Sequence, residues 1–154
     1  NPVYVDTFRE LGANAVPMAW TEALTAMQQG TIDGQENPVN VVHSFKLNET
    51  QNYMTMSRHT YAPAIFVMGM PVWNRLPEAA QGVIKQAAQE AAEHERSVNA
   101  EMESKQLAEL RASGMEIVED PEIDAFQAAV APVYEKYGNQ FGDYLERIRE
   151  FQQQ

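Results

Sequence analysis

Gln35, Glu36 and Asn37 stand side by side near the end of the run Ala26 to Pro38, which reads AMQQGTIDGQENP. Two carboxamides and a carboxylate supply hydrogen-bond donors and acceptors but no nucleophile, so the chemistry on offer is recognition. Asn37 is the strongest candidate. Its carboxamide both donates and accepts, and Pro38 biases its backbone toward an extended conformation. The helix that should follow would add unpaired N–H groups and a positive dipole end, which favour a carboxylate. The competing reading is that Asn37 simply caps that helix. Glu36 is placed to pair with a cation near the same helix start, or else to face solvent. Trp20, at the junction Met18-Ala19-Trp20-Thr21, offers a flat wall for a pocket or a core-packing ring. His59, in Ser57-Arg58-His59-Thr60-Tyr61, either bonds a ligand or serves as a structural hydrogen-bonder. His43 and His94 fall on expected helices without partners at metal-ligand spacing and read as structural, and Arg58 reads as a surface cation.

Catalysis finds no comparable support. The chain holds no GxSxG, HExxH, GxxxxGK[ST] or strand-following GxGxxG. Glu36 and His59 would form an acid/base pair only if they met within about 3 Å in a pocket. The residues therefore read as a binding site with no catalytic group, no metal and no cofactor.

These side chains need elements to carry them. The 154 residues suffice for one domain with a sizeable core, and 44% hydrophobic with 21% charged residues is ordinary for a globular protein. The net charge of −11, with eleven scattered basic residues, excludes nucleic acid as a partner. No apolar run approaches the roughly 18–20 residues of a membrane helix, so direct membrane insertion is not expected. With no leader visible, the chain is expected to be cytoplasmic or already processed. The absence of cysteine removes disulfides and thiolate chemistry together.

Asn1-Pro2 opens a first helix that Gly12 ends. Ala13 to Met18 reads as a short strand weakened by Pro17. Thr21 is expected to cap a helix that Gly30 closes, Thr31 to Asp33 to form a minimal strand, and Asp33-Gly34 a turn. Asn37-Pro38 should start a helix through Val39, Val42, His43 and Phe45. Tyr53 to Ser57 and Ala64 to Met70 are the best strand candidates, the second as a strand buried on both faces. Pro77 to Ser113 predicts one helix of about 36 residues, roughly 54 Å long, which must span two lobes or pack against another chain. Gly114 stops it, Met115 to Val118 forms a strand, and Asp120 caps the next helix, which Pro132 should kink. A last amphipathic helix aligns Phe141, Leu145, Ile148 and Phe151, followed by a polar tail, Gln152 to Gln154.

At AMQQGTIDGQENP the chain resembles the periplasmic substrate-binding subunits of TRAP-type (tripartite, ATP-independent) transporters. The segments NPVYVDTFRELGANAVPMAWTEALTAM, YMTMSRHTYAPAIFVMG and the Trp73…Leu76-Pro77 entry to an Ala- and Glu-rich helix follow in the same order, so the resemblance covers essentially the whole chain. It implies an α/β, venus-flytrap protein with two lobes, here partial, that captures a small organic acid and hands it to TRAP membrane permease subunits. It also implies that Asn37 contacts the ligand, that Trp20 lines the pocket and that His59 lies near it. The implied organisation is residues 1–61 as part of the second lobe, 62–118 as a return strand with the lobe-spanning helix, and 119–154 as C-terminal helices. The family's carboxylate-clamping arginine would precede Asn1, and neither Arg9 nor Arg58 stands in its place. The chain is thus expected to be the C-terminal half of such a periplasmic protein. Its open strand edges would be completed by the other half or by a second copy in a swapped dimer. The alternative from another class is an oligomeric interaction module that binds no small ligand.

Overall fold

A computed structural model describes residues 1–152. Of the predicted tail, Gln152 to Gln154, the first residue belongs to the last helix, and Gln153 and Gln154 lie outside the described residues. The chain forms two compact units, each assembled from separated stretches of sequence. The first comprises residues 1–34, 55–57 and 118–154, and the second residues 35–54 and 58–117.

In the first unit, helix α1 (Pro2–Glu10) starts as the sequence predicts. The Asn1 side chain accepts a hydrogen bond from the Val3 N–H at 3.0 Å, and Pro2 occupies the first turn. Gly12 follows its end at φ 86°, a conformation that penalises any side chain. Helix α2 (Trp20–Gln29) closes on Gly30 at φ 67°, also as expected. Its start differs, because Ala19 occupies the cap position with no side-chain bond and Thr21 lies inside the helix. Helices α6 (Ile123–Ala129) and α7 (Ala131–Tyr137) are separated at Val130. The Pro132 ring has no N–H and breaks the ladder there, so the predicted kink is a full interruption. Asp120 does not cap α6, whose cap position is Glu122. Helix α8 (Tyr144–Gln152) follows Gly138.

Helix α1 packs against α7, and a cluster of polar groups ties the two. The Asp6 carboxylate accepts from Lys136 Nζ and from the Tyr137 hydroxyl, both at 2.7 Å, with Arg9 3.8 Å away. The Lys136 bond, then the Tyr137 bond, holds the Asp6 pKa below its ordinary 3.8. Bonding to Asp6 in turn raises Lys136 above 10.5 and Tyr137 above 10.0.

The second unit holds α3 (Val39–Ser44), α4 (Met70–Trp73) and α5 (Glu78–Ala112). The 35-residue α5, about 53 Å long, matches the predicted long helix. Gly114, at φ 96°, marks its end. Its only buried residues are Gln106 and Leu110, near the C-terminal end, while Val83 is 67% exposed. There α3 packs on α5, and Val39, Val42, Leu47, Leu110 and Met115 form the apolar core. His43 reinforces the packing with a 2.6 Å bond to Glu109, the structural role its sequence position suggests.

Two strands, β1 (Tyr53–Thr55) and β2 (Glu116–Val118), form the sheet. They run parallel, since Glu116 N bonds Asn52 O and Met56 N bonds Val118 O. Three other expected strands are absent: 13–18, 31–33 and 64–70 lie outside any sheet, and Met70 opens α4 instead. The apolar run at 64–69 takes no regular structure and is open to water, with Ile65 at 77% and Val67 at 86% exposure. Apolar, β-branched composition measures fit to a sheet surface, and none of the described strands pairs with this segment.

Two outcomes follow from this packing. Leu110→Ala is expected to cost about 2–5 kcal/mol, read as faster hydrogen exchange of α3 and α5 amides. Asp6 stabilises α1–α7 above about pH 4, and that contribution is lost as pH falls through its lowered pKa. Lys136 and Tyr137 contribute below about pH 10 and lose it as pH rises through their raised values. Asp6→Asn should therefore lower the melting temperature near neutrality and make both the acid and alkaline limbs shallower; unchanged limbs would show that the cluster is not linked to folding.

Candidate functional site

The residues around Asn37 are brought together within the second unit. Pro38 occupies the cap position of α3, with no side-chain cap bond, so Asn37 lies one residue outside the helix. Its side-chain nitrogen donates to Gln35 Oε1 at 2.6 Å, and the cap position belongs to Pro38 rather than to Asn37. Gln35 Nε2 in turn donates to Gln51 Oε1 at 3.3 Å. Gln35, Asn37 and Gln51 are all half-buried. The expected dipole contribution is small, because α3 has only six residues.

Glu36, between the two amides, points to a different partner. Its Oε2 lies 3.2 Å from His59 Nε2, with the side chains 42% and 25% exposed respectively. Directly before His59, Arg58 adopts φ 49°, a left-handed conformation uncommon for a residue with a side chain. The distance an acid/base pair would need is nearly met, but the pair is open to water.

Trp20 is the first residue of α2 in the first unit and is half-buried. His94 lies exposed on α5. A depression beside α3 and α5 is lined by His43, Lys46, Asn48, Glu49, Glu109 and Ser113. Its polar groups are largely spent on each other, His43 with Glu109 and Asn48 with Ser113 at 3.1 Å. Among the described residues no group of three or more His, Asp or Glu side chains is arranged to hold a metal ion. No described helix is long and apolar enough to cross a membrane.

Sequence reasoning missed Gln51 and the Asp6–Lys136–Tyr137 cluster. Gln51 lies sixteen positions from Gln35 in an unremarkable polar stretch, and Asp6 lies 130 from Lys136. No local pattern marks either pairing.

Residues 1–140 match the bacterial extracellular solute-binding protein family 7, and the chain belongs to that family. A solute-binding protein of Verminephrobacter eiseniae is 40% identical over 153 residues, covering 99% of this chain and 46% of the relative. The 2,3-diketo-L-gulonate-binding periplasmic protein of Escherichia coli is 31% identical over 156 residues, covering 99% of this chain and 48% of its own length. The crystal structure of a TRAP periplasmic solute-binding protein from Polaromonas sp., bound to D-erythronate, matches with a TM-score of 0.84 at 38% identity. That match covers 99% of this chain and 50% of the other. The chain therefore spans about half the length of the curated relatives it matches. Its fold is part of the α/β venus-flytrap fold of TRAP solute-binding proteins, as the resemblance implied. The family is extracytoplasmic and serves transport, not catalysis, so the acid/base reading of Glu36 and His59 falls away.

A water-exposed contact between a carboxylate and an imidazole contributes little, typically up to about 1 kcal/mol. Glu36→Ala is expected to lower the unfolding free energy, read from urea denaturation, by no more than that. A loss above about 2 kcal/mol would mean that the pair holds the segment in place.

Proposed function

We propose that this chain is part of a periplasmic solute-binding protein that captures a small organic acid carboxylate for uptake through TRAP permease subunits. The observation that carries the reading is the Asn37 carboxamide. It stands outside the helix, is half-buried, and engages Gln35 through its nitrogen alone. Glu36 and His59 stand beside it in sequence and by their mutual bond, and Trp20 offers an aromatic face in the first unit. All four are proposed as ligand-binding residues. The relatives support the ligand class: one is named for 2,3-diketo-L-gulonate and another holds D-erythronate, both hydroxylated carboxylates.

A second reading, an oligomeric interaction module without a small ligand, is favoured by the exposed run at Ile65, Phe66 and Val67, 77%, 72% and 86% open to water. The remaining half of the fold or a second copy of the chain would cover it.

The two readings separate in one experiment. Because a chain of half the relatives' length supplies only part of a cleft, the 154-residue chain should bind D-erythronate weakly, with a dissociation constant of about a millimolar or higher. A saturating concentration should raise its melting temperature, and Asn37→Ala should abolish the rise. Micromolar heat in a calorimetric titration would contradict the weak-binding expectation. An oligomer by size exclusion with no shift would favour the interaction module.

A further inference from the structure

We draw no further inference here: the strongest candidate, the exposed apolar patch of Ile65, Phe66 and Val67 between β1 and α4, carries none, because nothing in the structure shows what covers it.

Discussion

Helix α3 has six residues, and a helix that short has no stability of its own in water. It persists because it packs on the C-terminal part of α5, where Val39, Val42 and Leu110 are buried. Val42 and Leu110 are each only 2% exposed. The polar run Gln35-Glu36-Asn37 leads directly into this helix, so the packing that holds α3 also fixes where the three side chains begin. The hydrogen bonds of Asn37 and Gln35 then refine what the apolar contact has placed.

This dependence explains which parts of the chain were legible. Helix ends were read well wherever a single residue dictates the backbone. Asn1 and Pro2 start α1, Gly30 ends α2, Gly114 follows α5 and Pro132 splits α6 from α7. The length of α5 was legible too, because a stretch free of proline and rich in Ala, Glu and Gln has few other options. Strands were read poorly. Segments 13–18, 31–33 and 64–69 carry strand-like composition yet pair with no described strand. A strand is defined by a partner, and composition does not say whether one is present.

The candidate site divides in the same way. Gln35, Glu36, Asn37 and His59 could be singled out by residue type and by their places at the ends of elements. Family membership, which rests on residues 1–140 as a whole, then gave them a class of ligand to consider. The partners of these residues were not legible. Glu36 finds His59 across 23 positions and Gln35 finds Gln51 across sixteen. Asn37 illustrates the difference: spacing allowed both a cap and a contact, and only the start of α3 at Pro38 told against the first.

By itself, then, the sequence determined the helices bounded by glycine, proline and asparagine, the long α5, the absence of thiol chemistry, and the residues able to recognise a polar ligand. These follow from properties of single residues or of close neighbours. The tertiary structure decided which extended segments became strands, that Pro38 rather than Asn37 begins α3, and that Gln51 is the partner of Gln35. Those outcomes depend on contacts between distant positions, whose free energy has no counterpart in local composition.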